Sequence, residues 1–294
     1  MDRISSAVDR RCNRATTVWY RRTCPHHHAQ QSGEHPQCLA RGNHRSGYSS
    51  ANRTRLMGPL RRFLARTVLQ NSANLVTLDD PYVAMGKLLP PDQVHGLIDV
   101  GASYGRVAGR LLRQFPSAKT WLFEPHPDYE TGLSDVSRKD PRLCPQFLAV
   151  GDHEGTATLN IAASPGTTSL LNPNSTLTAS YATEAQVIAC REVPLVTLDA
   201  WALRVPDRQI ELIKLDIQGG ELAALRGARK LLTTTVRLVY TEIMFNNLYE
   251  GGAVFADLDA ELRACGFLLH DIYKPKHNAS GMLMWGNAIY LRKA

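Results

Sequence analysis

The chain has 294 residues, of which 44% are apolar, and it carries a formal net charge of +7. No apolar run approaches the ~18 residues that a bilayer span requires, so we expect no transmembrane segment and a cytoplasmic protein. Residues 1–56 hold ten arginines and three acidic residues, which accounts for the whole net charge. The balanced remainder is therefore not expected to bind nucleic acid.

Residues 1–56 differ in composition from the rest of the chain. They contain no lysine and show neither helical nor strand periodicity, so we expect them to form little hydrophobic core. Three interpretations remain open, namely a disordered tail, a translated region upstream of a natural start at Met57, and a targeting presequence. The cysteines and histidines between Cys24 and Cys38 match no standard zinc-finger spacing, so we predict no metal site there.

From Met57 onward the apolar pattern becomes regular. Residues 57–93 predict a helical segment, with a helix over 60–69, and residues 94–294 predict the main domain. Predicted strands cover 96–101, 119–124, 143–150, 155–162, 192–198, 211–216 and 236–242, followed by a hairpin of 267–273 with 288–291. Predicted helices cover 106–115, 128–139, 221–232 and 255–265, and 163–180 is expected to be a long loop. Strands that alternate with helices predict an open, mostly parallel α/β sheet.

A glycine-containing turn lies between the first of these strands and the first helix. It has the sequence Asp99-Val-Gly-Ala-Ser-Tyr-Gly105. Glycines there let the backbone approach a ligand closely, because they carry no Cβ. The spacing is not that of the dinucleotide fingerprint G-x-G-x-x-G. An acidic first position followed by alternating small residues is typical of enzymes that bind S-adenosylmethionine, whose cationic groups favour a nearby carboxylate.

Acidic residues end five of the predicted strands. In open α/β sheets, ligands bind beyond the carboxyl ends of the strands, which lie together at one edge. Five acidic residues at that edge predict a functional site rather than a solvated surface. They are Asp99, Glu124, Asp152, Asp216 and Glu242.

The ordered set of motifs resembles the FkbM family of S-adenosylmethionine-dependent methyltransferases over about residues 94–291. The motifs are the turn 99–105, Phe123-Glu-Pro125, Ala149-Val-Gly-Asp152, Thr168-Ser-Leu170, Val196-Thr-Leu-Asp199, 213–221 and Thr241-Glu242. The resemblance implies a Rossmann-like class I methyltransferase fold, with a mostly parallel seven-stranded sheet and helices on both faces. It also implies O-methylation of hydroxyls on natural products or sugars. Two positions depart from the family pattern: Ser103 replaces the usual Asn, and Gln218 replaces the Glu of Asp-Val-Glu-Gly.

The resemblance also implies roles for the strand-end residues in binding the cofactor. The turn residues Gly101, Ser103 and Gly105 would lie against the methionine part, which Asp99 would face. Glu124 would accept hydrogen bonds from both ribose hydroxyls. Val150 would lie beside the adenine, and Asp152 would accept a hydrogen bond from its amino group. The alternatives are a helix-capping role for Asp99, a surface salt bridge for Glu124 and an Asx-turn at Asp152.

Asp216 and Glu242 are the predicted active-site carboxylates. Asp216 would orient the acceptor hydroxyl, act as general base, or ligate a divalent ion together with Glu242. Glu221 lies five residues after Asp216, in the first turn of the next predicted helix. Its alternative role is to stabilise the N-terminus of that helix. Three loop histidines are further candidate bases, although a lone loop histidine is more often solvated. They are His126, His153 and His277.

We therefore expect an S-adenosylmethionine-dependent O-methyltransferase that acts on a hydroxyl of a small molecule, sugar or glycolipid. Residues 163–180 and 245–255 are the expected acceptor-recognition segments, because they are the least regular parts of the active edge. The alternative is a catalytically impaired family member that binds the cofactor and acts as an interaction protein, because Gln218 lacks the family's carboxylate. The acceptor, metal dependence and oligomeric state are not predicted.

Overall fold

The computed structural model describes residues 80–205 and 209–293. The Arg-rich segment 1–56 and the predicted helix 60–69 lie outside these residues. Of the predicted helical segment 57–93, the described part contains helix α1 (Pro81–Leu88) and a 3₁₀ turn at Pro91–Gln93. Helix α1 begins with Pro81 after Asp80, whose side chain accepts a hydrogen bond from the Tyr82 N–H and caps the helix.

The main sheet has seven strands in the order β3-β2-β1-β7-β8-β10-β9. The strands are β1 (Gly96–Val100), β2 (Lys119–Phe123), β3 (Leu143–Gln146), β7 (Leu212–Leu215), β8 (Leu238–Met244), β9 (Phe267–His277) and β10 (Leu283–Arg292). The pairs among β3, β2, β1, β7 and β8 are parallel, and β10 runs antiparallel to both β8 and β9. The sequence prediction of a mostly parallel seven-stranded sheet is confirmed.

Helices cover both faces of this sheet, as predicted. Alternate residues of β1 point to opposite faces, so Leu97 belongs to one core and Ile98 to the other. The first core includes residues of α1, α2 (Arg106–Gln114) and α3 (Glu130–Lys139). The second includes residues of α5 (Leu198–Leu203), α6 (Glu221–Arg226), α7 (Arg229–Thr234) and α8 (Phe255–Ala264). None of the helices in residues 80–205 and 209–293 has the length and apolar character that a bilayer span requires.

The structure also contains a second sheet of three strands, and the sequence did not predict this sheet. It has the order β4-β6-β5, with β4 (Ala149–Val150), β5 (Gly155–Ala162) and β6 (Val187–Val196). The prediction of a single strand over residues 143–150 is therefore wrong. Its first half is β3 at the edge of the main sheet, where Pro145 is tolerated. Its second half pairs with β6 instead.

Other elements also differ from the sequence prediction. The predicted helix 221–232 is divided into α6 and α7, because the chain turns at Gly227. A Cβ on Gly227 would lie 2.0 Å from the Gly151 carbonyl oxygen, so only glycine permits this approach. Leu198 begins α5, capped by Thr197, rather than ending a strand. The predicted loop 163–180 contains a 3₁₀ turn and helix α4 (Ser175–Ser180), capped by Asn174.

Candidate functional site

The turn after β1 is pressed against the end of β7. Gly101 has a φ of +74° and Gly105 a φ of +72°, both in the left-handed region that favours glycine. A Cβ on Gly101 would lie 2.0 Å from the Asp216 carbonyl oxygen. Ser103 occupies the same region with a φ of +48°. The turn therefore requires Gly101 because of both its backbone conformation and its close approach to Asp216.

We expect Gly101→Ala to lower the free energy of unfolding by more than about 2 kcal/mol, because the left-handed conformation and the overlap with a backbone oxygen both penalise the methyl group. Urea denaturation measures this. The control is Gly109→Ala in helix α2, where an added Cβ has no neighbour within 4 Å. That variant should be neutral or slightly stabilised. Equal stability of the two variants would contradict the account of the turn.

Glu124 holds this turn from the end of β2. Its Oε2 accepts a hydrogen bond from the Ser103 N–H (2.7 Å), and its Oε1 accepts one from the His126 N–H (3.0 Å). Burial raises the pKa of Glu124, while the two N–H donors act in the opposite direction. Each carboxylate oxygen retains a second lone pair, so both can accept a further hydrogen bond from a ligand.

A cleft of about 830 Å³, including the space at its open mouth, lies beyond the ends of β1, β2, β4 and β7. Of the predicted cofactor residues, it is lined by Gly101, Ser103, Glu124 and Val150. Leu148 and Leu159 extend the apolar wall around Val150. The predicted catalytic Asp216 also lines the cleft, so five of the nine predicted site residues lie together at the predicted edge.

The other three predicted cofactor residues lie outside the cleft lining. Asp99 is fully buried, and its Oδ1 lies 2.9 Å from the Lys214 Nζ, so it does not face the cleft. Asp152 is exposed outside the cleft lining, where its Oδ1 lies 2.7 Å from the Nδ1 of His153. The hydrogen bond from His153 lowers the pKa of Asp152. Gly105 also lies outside the lining and precedes helix α2 as its N-cap residue.

Lys214 was not predicted as a site residue, although a charged residue within the apolar strand β7 is itself a signal of a buried partner. Besides Asp99, its Nζ contacts the carbonyl oxygens of Val100 (3.1 Å) and Gly101 (2.8 Å). Burial alone would lower the pKa of Lys214, but the adjacent Asp99 and Asp216 carboxylates raise it to about 12. The lysine thus ties the start of the glycine turn to β7.

Asp216 and Glu242 are joined by the side-chain amide of Gln218. The Gln218 Nε2 donates to Asp216 Oδ1 (2.9 Å) and to Glu242 Oε2 (2.8 Å). Asp216 and Gln218 line the cleft, whereas Glu242 lies outside the lining and is buried. Burial, together with the Asp216 and Glu221 carboxylates, raises the pKa of Glu242 well above its usual range. Of the two predicted carboxylates, only Asp216 therefore reaches the cleft.

Glu221 has a structural role beneath this group. Its Oε1 accepts a hydrogen bond from the Ile217 N–H (2.8 Å), and its Oε2 accepts one from the Gly219 N–H (2.9 Å). These bonds fix the turn that presents Gln218, whose φ is +57°. Burial raises the pKa of Glu221 to about 7, although both N–H donors favour its charged form.

Only one of the three candidate histidines lines the cleft. His126 is buried, and its Nδ1 accepts a hydrogen bond from the Asp128 N–H (3.2 Å), which leaves the proton of the neutral ring on Nε2. Burial lowers the pKa of His126, so the neutral form is favoured. His153 and His277 are exposed and lie outside the cleft lining.

The two segments predicted for acceptor recognition contact each other. Pro173 forms an isolated β-bridge with Tyr249, and the Asn174 N–H donates to the Leu248 carbonyl (3.0 Å). The Ser169 hydroxyl donates to the Gln218 carbonyl (2.7 Å) and so ties the first segment to the end of β7. Residues 165–170, apart from Thr167, form one wall of the cleft.

The strand order and the cleft define an α/β protein of the class I methyltransferase fold. Residues 99–269, more than half of the chain, match the family described as the methyltransferase FkbM domain. The protein therefore belongs to the FkbM methyltransferase family. This confirms the resemblance seen in the sequence and the predicted class of enzyme, a methyltransferase, for which S-adenosylmethionine is the expected cofactor.

Individual relatives are similar over parts of their length. The chain is 27% identical over 166 residues to the 2-O-methyltransferase NoeI of Sinorhizobium fredii (strain NBRC 101917 / NGR234), covering 55% of this chain and 67% of NoeI. The methyltransferase FkbM from Methylobacillus flagellatus KT is 16% identical with a TM-score of 0.45, covering 67% of this chain and 43% of that one. The Aeropyrum pernix fibrillarin with natively bound S-adenosyl-L-methionine is 12% identical with a TM-score of 0.39, covering 71% and 74%.

Proposed function

We propose that the protein binds S-adenosylmethionine in this cleft and methylates a hydroxyl group of a sugar-containing or other small-molecule acceptor. The observation that carries the proposal is the position of Glu124. This buried carboxylate is anchored by two backbone N–H groups, lines the cleft and retains acceptor capacity on both oxygens. Such a group suits a pair of vicinal ribose hydroxyls.

The surrounding residues fit the other parts of the proposed cofactor. The apolar wall formed by Leu148, Val150 and Leu159 suits a flat adenine ring. The turn from Gly101 to Ser103 allows close backbone approach at the opposite end, where the methionine part would lie. Asp216 lines the cleft beside this turn, next to the place where the transferred methyl group would lie.

The residues of the cleft would then align the acceptor and receive its proton. When bound, S-adenosylmethionine supplies an electrophilic methyl group. Asp216 would accept a hydrogen bond from the acceptor hydroxyl and take up its proton as the oxygen becomes methylated. The wall of residues 165–170 would limit the access of water and orient the acceptor. The main contributions of the protein are thus alignment and proton uptake.

Transfer to an oxygen atom is supported by the similarity to NoeI, which is described as a 2-O-methyltransferase. The departure at Gln218 gives no support to the impaired alternative, because its side chain makes hydrogen bonds with Asp216, Glu242 and Tyr249 and leaves the group ordered. We therefore retain an active O-methyltransferase as the proposed function.

Incubation of the full-length protein with methyl-labelled S-adenosylmethionine and a panel of mono- and oligosaccharides, glycolipids and hydroxylated small molecules tests this proposal. We expect acceptor-dependent release of S-adenosylhomocysteine and a label bound to oxygen in the product. An equal panel of amines serves as the control. Transfer to amines in preference to hydroxyls, or failure of the protein to bind the cofactor in calorimetry, would contradict it.

A further inference from the structure

The side-chain amide of Gln218 has a defined orientation between two carboxylates. Its Nε2 is within hydrogen-bond distance of Asp216 Oδ1 and Glu242 Oε2, which uses both of its hydrogens. Its Oε1 accepts a hydrogen bond from the Tyr249 hydroxyl (3.0 Å). The opposite orientation would direct Oε1 at two carboxylate oxygens, so the hydrogen-bond partners select the observed one.

The backbone at this position is held as firmly as the side chain. Gln218 has a φ of +57°, which is costly for a residue with a Cβ. Glu221 fixes the N–H groups on both sides of it, and the Ser169 hydroxyl donates to its carbonyl oxygen. Hydrogen bonds from three directions thus hold a strained conformation that directs the amide at the two carboxylates.

The side chains around Gln218 are mostly acidic. Asp216, Glu242 and Glu221 lie around it, and the nearby Lys214 directs its Nζ at Asp99 and at two backbone carbonyl oxygens. Carboxylate oxygens are ligands that divalent cations favour, so two carboxylates directed at one point are candidates to share such a cation. Here the two hydrogens of a neutral amide lie between the carboxylates. Within the ranges that the structure describes, no group of three or more His, Cys, Asp or Glu side chains is arranged to hold a metal ion.

We propose that Gln218 is a positioning residue that takes the place of a bridging cation between Asp216 and Glu242, so that methyl transfer in this protein needs no divalent metal. The proposal rests on the proposed function for the role of Asp216. By donating to Oδ1, the amide fixes the orientation of the Asp216 carboxylate that receives the acceptor proton.

Titration with Mn²⁺, followed by electron paramagnetic resonance, tests the proposal on the full-length protein. Wild type should bind no stoichiometric Mn²⁺ at this position. Gln218→Glu completes a three-carboxylate group and should bind one Mn²⁺ at least tenfold more tightly than wild type. The matched control is Gln218→Glu combined with Glu242→Gln, which should lose the gain. A purely structural role for Gln218 predicts no change in metal binding.

Calorimetry with S-adenosylmethionine shows whether the Gln218→Glu variant is folded, and it separates this proposal from the proposed function. If the variant binds the cofactor yet gains no Mn²⁺ affinity, the proposal is overturned.

Wild type gives a second test that does not depend on the folding of any variant. Its methyl transfer should be unaffected by EDTA, and loss of transfer in EDTA with recovery on addition of Mn²⁺ would overturn the proposal. Absence of cofactor binding in wild type would instead refute the proposed function.

Discussion

Replacing Glu124 by alanine should weaken the binding of S-adenosylmethionine by more than about 100-fold. The variant loses a charged acceptor for two ribose hydroxyls, and a hydrogen bond to a charged group contributes about 1.5–3 kcal/mol. Two such bonds therefore correspond to a loss of at least about 3 kcal/mol, or more than two factors of ten in affinity. Isothermal titration calorimetry of wild type and variant measures the change.

Asp152→Asn is the matched control for this experiment. The sequence predicts an adenine contact for Asp152, whereas the structure places its side chain in solvent beside His153. We therefore expect wild-type affinity in Asp152→Asn. Loss of affinity in Asp152→Asn with retention in Glu124→Ala would reverse the assignment of the two carboxylates. Because Glu124 also anchors Ser103 and His126, urea denaturation should accompany the titrations.

Asp216→Asn should separate cofactor binding from methyl transfer. An asparagine at this position can still accept the hydrogen bond from Gln218 through its Oδ1, so the cleft should keep its shape. It cannot take up a proton, and general-base catalysis typically contributes 10²- to 10⁴-fold. We expect affinity for S-adenosylmethionine within about threefold of wild type and a transfer rate at least about 100-fold lower.

The control for this second prediction is Glu130→Gln, which removes an exposed carboxylate at the start of α3, away from the cleft lining. It should leave both binding and transfer at the wild-type level. Single-turnover measurements with labelled cofactor compare the rates of chemistry directly. Full activity in Asp216→Asn would remove Asp216 from the chemical step and leave alignment as the role of the cleft.

The central strands β1, β2, β7 and β8 could be predicted because each is a short, mostly apolar run followed by a turn and a helix or loop. The division of 143–150 could not, because the pairing of Val150 with Val196 is a tertiary contact. The break at Gly227 similarly depends on close contact with Gly151, more than seventy residues earlier in the chain. Local periodicity contains no information about such contacts.

Some positions in the candidate site could likewise be predicted from the sequence, and others could not. The glycine turn and Glu124 could be predicted, because a strand end fixes where a residue lies. Strand position does not fix the partner of a side chain, however. Asp99 is paired with Lys214, which lies 115 residues later, and Asp152 turns to its neighbour His153. The bridge made by Gln218 also depends on Glu242 and Tyr249, which adjacent strands and loops bring together.

A crystal structure of the full-length protein with S-adenosylhomocysteine tests the central claim most directly. We predict that the ribose hydroxyls contact both oxygens of Glu124, that the adenine lies against Val150 and that the sulfur lies on the side of Asp216. Density for the ligand at another place, or a cleft that stays empty at saturating ligand concentration, would contradict the assignment of this cleft as the cofactor site.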